Sequence, residues 1–131
     1  MAIYKAQLLT PEGSRFDGDV VSVRVPGSNG DFQMLSNHAP IVSSLGIGKI
    51  SIKQVGEKEL KFAVSGGFIE MSNNQLTILA EKAEKSTEIN REEALKLRNK
   101  IKEKRDSLEF RSEDVETELA IAENRLKIAE S

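Results

Sequence analysis

Hydrophobic residues in this chain keep two different rhythms, and the change between them falls near residue 85. Before it, short runs alternate apolar with polar: Val21, Val23 and Val25 around Ser22 and Arg24, Ile50 and Ile52 around Lys49, Ser51 and Lys53, Leu76 and Ile78 around Thr77. A period of two places alternate side chains on one face of a half-buried strand. Beyond it, Val115, Leu119, Ala122, Leu126 and Ala129 are spaced four, three, four and three, the seam of an amphipathic, coiled-coil-like helix. The chain therefore divides. Residues 1–85 are expected to form a mainly β sandwich or flattened barrel, and residues 86–131 an antiparallel α-helical hairpin.

Local signals subdivide each part. The first strand is expected over Ala2 to Thr10, with Tyr4, Ala6 and Leu8 on one face, and Pro11-Glu12-Gly13 as a turn. Phe16 should open a short second strand that Asp17-Gly18 closes. The stretch from Gly27 to Gly48 holds four of the nine glycines and the single histidine. Within it, Gly27 and Gly30 bracket Ser28-Asn29, where positive φ angles are expected, since turns of this composition use the left-handed region. A short strand, Asp31 to Leu35, then leads to His38-Ala39-Pro40, where proline holds Ala39 extended. Gly66-Gly67 marks a bulge or a close approach of strands. Asn73-Asn74 suits a tight hairpin. Glu81 to Glu88 is polar and reads as a linker with room for a helical turn. Asn90 is the expected N-cap of a first helix over Arg91 to Arg105, with Glu93 at the capping-box position and Ala94, Leu97 and Ile101 on one face. Asp106 to Arg111 should interrupt it, and Ser112 should cap the second helix, whose seam Ile121 and Ile128 widen.

Composition excludes several functions. A net charge of −2 argues against nucleic acid as the main partner. The absence of cysteine removes disulfides, thiolate metal sites and cysteine nucleophiles. No histidine, cysteine or carboxylate cluster has the spacing of metal ligands. No apolar run approaches the ~20 residues of a membrane-spanning helix, so membrane association is expected only through a partner. His38 lacks a nucleophile or base beside it; it reads as a turn histidine bonded to backbone, or as an interface residue. The first helix is basic, with Lys96, Arg98, Lys100, Lys102, Lys104 and Arg105, whereas acids dominate after the turn. An antiparallel hairpin would oppose these charges, but exposed pairs add only ~0.2–1 kcal/mol each, so its closure is expected to be marginal.

Three blocks carry a family resemblance: Gly27 to Gly48, Phe62-Ala63-Val64-Ser65-Gly66-Gly67-Phe68-Ile69-Glu70, and Leu76 to Glu84. In order and spacing they resemble the epsilon subunit of bacterial-type F-type ATP synthases, with Gln33 where many relatives carry glycine. The resemblance implies a non-catalytic central-stalk rotor subunit at the cytoplasmic face of a bacterial membrane. Its implied partners are the gamma subunit, the c-ring and, in an inhibitory state, the alpha and beta catalytic subunits. It implies a β-sandwich that couples gamma to the c-ring, and a hairpin that inhibits ATP hydrolysis when extended. Asp31 would face the c-ring's polar loop, and His38 would be a further contact. Arg98, Lys102 and Arg105 would meet acidic surfaces of the catalytic subunits. Some relatives bind ATP through Ile-Asp-x-x-Arg-Ala at the start of the first helix. Here Asn90 and Glu93 stand at the aspartate and arginine positions, leaving Arg125 as the remaining phosphate contact. A glutamate beside a triphosphate reverses the local field, so weak or absent ATP binding is expected, with no cofactor. Two other classes fit the composition. One is a free-standing β-sandwich adaptor that dimerises through the Val115-to-Ala129 seam. The other is a small enzyme or ligand carrier with a pocket in the sandwich, against which one histidine, no cysteine and no carrier-type lysine turn count.

Overall fold

A computed structural model describes residues 2–56, 58–107 and 113–129. Eight strands come first: β1 Tyr4–Thr10, β2 Gly13–Val20, β3 Ser22–Gly27, β4 Gly30–Leu35, β5 Ile41–Lys53, β6 Glu59–Ser72, β7 Gln75–Ala80 and β8 Ala83–Lys85. A 3-10 turn, Ser86–Glu88, leads to α1, Arg91–Ser107, and α2, Glu113–Ala129. The strands hydrogen-bond in the order β2-β1-β7-β6-β5-β3-β4, with β8 also on β6. All pairs are antiparallel except β1 with β7.

One hydrophobic cluster draws on all eight strands, including Leu8, Val20, Val23, Met34, Ile50, Phe62, Ile69, Ile78 and Ala83. A sheet of this order can share one core only by curling back on itself, which makes the sandwich. The two long strands do the curling. Along β6 the buried residues are Phe62 and Val64, then Ile69 and Met71. Along β5 they are Leu45, then Ile50 and Ile52. In both strands the inward phase switches from odd to even numbers, or the reverse, across a glycine-containing segment, and the two segments face each other, with Leu45 opposite Gly67 and Gly48 opposite Val64. A phase switch turns the opposite face inward, so both strands bend at one place. Gly67 is required there. Its φ is 131°, and a Cβ on it would lie 2.0 Å from the Leu79 carbonyl oxygen.

The observed elements refine several expectations. β2 runs unbroken from Gly13 to Val20, because pairing with β1 carries it through Asp17 and Gly18. Leu45 to Gly48 belongs to β5, which runs from Ile41 through the alternating Ile50 and Ile52 to Lys53. The positive φ of the Gly27–Gly30 hairpin falls on Gly30, not on Ser28 or Asn29. Asn73 and Asn74 do take positive φ, 51° and 57°, at a tight hairpin. The polar stretch expected to be a linker contains β8, which continues the line of β7 along β6, and Glu81 N–H donates to Gly66 O at 3.2 Å across the gap.

Asn90 Oδ1 accepts from Glu93 N–H at 3.0 Å, the N-cap bond that starts α1. That helix runs on through Asp106 and Ser107, two residues expected in the interruption. The rest of that interruption and the expected cap Ser112 lie outside the described residues. On α2, Val115, Leu119, Ala122, Leu126 and Ile128 are buried. Its seam is thus as expected, with Ile128 replacing Ala129 as the deepest residue of the last turn. Leu97, expected to share the inner face of α1 with Ala94, is 44% exposed.

Candidate functional site

The hairpin lies against the sandwich by its base. Ala63, on the outer side of β6, packs in one apolar cluster with Ile89, Ala94, Leu126 and Ile128. Ile89 and Ala94 lie just before and in the first turn of α1, and Leu126 and Ile128 at the end of α2, so contact is concentrated near the hairpin's origin. Beside this contact a cavity of about 630 Å³ opens between hairpin and sheet, lined by Leu97, Ile101, Ile121 and Arg125 from the helices and by Ser65 and Glu84 from the sheet side.

Polar bonds flank the apolar contact. Arg125 donates from Nε to Glu84 Oε1 at 2.6 Å and from Nη2 to Glu84 Oε2 at 3.0 Å, a two-point pair between α2 and β8. Asn124 Nδ2 donates to the Gly48 carbonyl oxygen at 2.9 Å. Arg15 of β2 pairs with Glu88, in the 3-10 turn before α1, at 2.7 Å. Arg125, the expected phosphate contact, thus faces a carboxylate.

A second surface lies on the outside of the sheet. Val42, Phe68 and Leu79 are 72%, 61% and 51% exposed. Phe68 stands directly opposite Leu79, and Val42 opposite Glu70, two residues along from Phe68. Residues opposed across strands, or two apart along one, share a face. These side chains, with Thr77 and Glu70, border a shallow cleft of about 320 Å³. Three large apolar side chains gathered on an open sheet face mark a contact surface better than they suit exposure to water.

Asp31 is exposed beside the Gly27–Gly30 hairpin. His38 follows the far end of β4. At the ~3.3 Å rise of a strand residue, Leu35 alone is roughly 13 Å from Asp31, so the two do not form one site. His38 is half-buried; its Nδ1 bonds the Ala39 carbonyl oxygen at 2.7 Å, and its backbone N–H donates to Leu35 O at 3.2 Å. The neighbouring Asn37 N–H donates to Asn74 Oδ1 at 2.6 Å, tying this turn to the β6–β7 hairpin. Arg98, Lys102 and Arg105 recur at four and three residues along α1 and so share one helical face. Arg98 Nε donates to Asn99 Oδ1, and Arg105 Nε to Asp106 Oδ1. Among the described residues no group of three or more histidine, cysteine, aspartate or glutamate side chains could hold a metal ion. None of the helices described is long and apolar enough to cross a membrane.

Comparison with known proteins then decides the family. The model of the ATP synthase delta/epsilon chain β-sandwich domain matches residues 4–86. The ATP synthase epsilon chain of Bacillus velezensis is 40% identical over 134 aligned positions, covering 98% of each chain. The chain belongs to the ATP synthase epsilon family. The epsilon chain of Bacillus subtilis is 37% identical, covering 82% of this chain and 80% of its own. Among solved structures, a chain in the Euglena gracilis mitochondrial ATP synthase assembly of OSCP, F1 and c-ring shares the fold at TM-score 0.77 and 22% identity, covering 99% of this chain and 79% of that one. A chain in the Tetrahymena thermophila ATP synthase central stalk and c-ring has TM-score 0.61 and 15% identity, covering 96% and 92%. As an epsilon chain, this protein is a non-catalytic part of the ATP synthase complex.

Val42, Phe68 and Leu79, and also Glu84, Asn124 and Arg15, are not among the candidates that the sequence suggests. For Phe68 a signal existed. It keeps the even-numbered phase of Phe62 and Val64, while Ile69 and Met71 take the odd phase beyond Gly66-Gly67. Only one of the two sets beyond the glycines can face the core.

Proposed function

We propose that this epsilon chain is a central-stalk rotor subunit that joins the gamma subunit to the c-ring and restrains ATP hydrolysis through its helical hairpin. The observation that carries the reading is the apolar outer face of Val42, Phe68 and Leu79. A torque-bearing sandwich needs a broad dry contact on its shaft, and this face has the chemistry of one. Gamma is the occupant assigned to it. Asp31, beside the Gly27–Gly30 hairpin, is assigned to the polar loops of the c-ring, and His38 to a neighbouring contact. Both assignments follow the family resemblance. The two structural neighbours, one from an assembly of OSCP, F1 and c-ring and one from a central stalk with c-ring, support the setting.

The hairpin acts as the brake. Folded on the sandwich, it leaves rotation free. Extended, it would carry the basic face of Arg98, Lys102 and Arg105 to acidic surfaces of the alpha and beta subunits. The protein would work at the cytoplasmic face of the membrane, held there by its partners, with no cofactor. An adaptor that dimerises through α2 is disfavoured, because Val115, Leu119, Ala122 and Leu126 are already buried within one chain.

The reading is tested in reconstituted synthase. Removing residues from Asn90 onward should preserve assembly and raise ATP hydrolysis. A truncated complex that hydrolyses no faster, with an unchanged response to the proton gradient, would refute the brake. Normal coupling with Asp31→Lys would refute the electrostatic role of Asp31.

A further inference from the structure

We infer that Glu84 and Arg125 form a latch that sets how often the hairpin leaves the sandwich. The inference rests on the brake reading above and names the residues that tune it.

The geometry starts at β8. This strand has three residues, and it pairs Glu84 with Ala63 across from it. Opposed residues project to the same side of a sheet. Glu84 is therefore delivered to the face on which Ala63 receives Leu126 and Ile128. Arg125 directly precedes Leu126, so the ion pair stands at the rim of the apolar contact, with its side chains 26% and 35% exposed. Partial shielding and two-point geometry distinguish it from the open Lys5–Asp19 pair, whose side chains are 66% and 47% exposed.

The apolar contact beside it is small. Ala63 contributes a single methyl group, and the cavity removes the middle of the hairpin from the sheet. Apolar contact is also non-directional. The two Arg125 bonds and the Asn124 bond to the Gly48 oxygen are directional, and all three act on adjacent residues in α2. A hairpin docked over so little apolar area is sensitive to such bonds in a way that a deep core is not.

The test uses the full chain by itself. It has no cysteine, so Lys49→Cys and Glu123→Cys, both at exposed positions on β5 and α2, accept a donor–acceptor fluorophore pair. The ratio of low-transfer to high-transfer molecules reports open to docked hairpin. Glu84→Gln should raise that ratio about tenfold, the effect of a charge-assisted two-point pair discounted for partial exposure. Arg125→Gln should do the same. Glu84→Gln with Arg125→Gln should open no further than either alone, because both changes remove one interaction. Asp19→Asn, which removes the pair with Lys5, should leave the ratio unchanged. The latch is refuted by a ratio within about twofold of the parent in Glu84→Gln, by additive opening in the double variant, or by equal opening in Asp19→Asn. The measurement needs no synthase, so its failure and that of the brake are separate results.

Discussion

Replacing Phe68 by threonine should separate the protein's folding from its assembly. Threonine is β-branched and, like phenylalanine, well accepted in strands, so the change removes the ring without disfavouring the strand. The ring is 61% exposed in the isolated chain. A phenylalanine side chain offers roughly 200 Å² for burial. About two-fifths of that is covered on folding, and at ~25 cal/mol per Å² the threonine variant should lose on the order of 1 kcal/mol of stability, since threonine retains part of the contact. The exposed remainder, roughly 120 Å², is available to a partner and is worth about 3 kcal/mol if fully buried. That corresponds to about a 100-fold weaker association. Urea unfolding of the free chain gives the first quantity, and titration of the labelled chain with purified gamma subunit gives the second. Val55 serves as a control. It is also largely exposed, but it lies at the turn between β5 and β6, and Val55→Ser should leave gamma binding unchanged. A Phe68→Thr chain that folds normally and binds gamma within about threefold of the parent would refute the assignment of this face, since no hot-spot residue tolerates such a loss.

Other outcomes follow from the core. Tyr4 is buried, and its hydroxyl donates to the Met34 carbonyl oxygen at 2.7 Å; burial pushes the phenol up to about 12 against a smaller opposing effect of the Val23 backbone. The folded state thus holds this proton more tightly than the unfolded chain does. The stabilisation is complete below about pH 10, the unfolded value, and is lost as pH rises toward 12. Tyr4→Phe should lower stability by about 1–3 kcal/mol at neutral pH, by stranding the Met34 oxygen, and should flatten the alkaline fall measured by urea unfolding. An equally steep fall in Tyr4→Phe would show that other groups cause it. Gly67→Ala should cost at least ~1–3 kcal/mol from its positive φ, with more from the collision with the Leu79 oxygen; a thermal midpoint equal to the parent's would show that the β6 kink can relax.

The legible parts of this protein were those that depend on near neighbours in the chain. Tyr4, Ala6 and Leu8, or Leu76 and Ile78, announce their inner face by spacing alone. Asn90 and Glu93 announce a helix start, and Asn73-Asn74 a hairpin, because caps and turns are closed by atoms a few residues apart. The division into strands and helices came from periodicity, and the family from three ordered blocks. The curl of β5 and β6 was only half legible, since glycines signal that a bend is allowed without saying which side chains it turns outward. Phe68 is outside because Ile69 is inside, and that choice is made by a core assembled from eight strands. β8 exists because β6 offers Phe62, Ala63 and Val64 a free edge, and nothing in Ala83-Glu84-Lys85 requires a strand. The meeting of Glu84 with Arg125, forty-one residues apart, and of Asn124 with Gly48, seventy-six apart, follows from where the hairpin lands. Spacing along the chain is set by covalent geometry and can be read directly. Contacts across the fold are set by which packing buries most apolar surface without orphaning polar groups, and that is decided only when all the elements are present together.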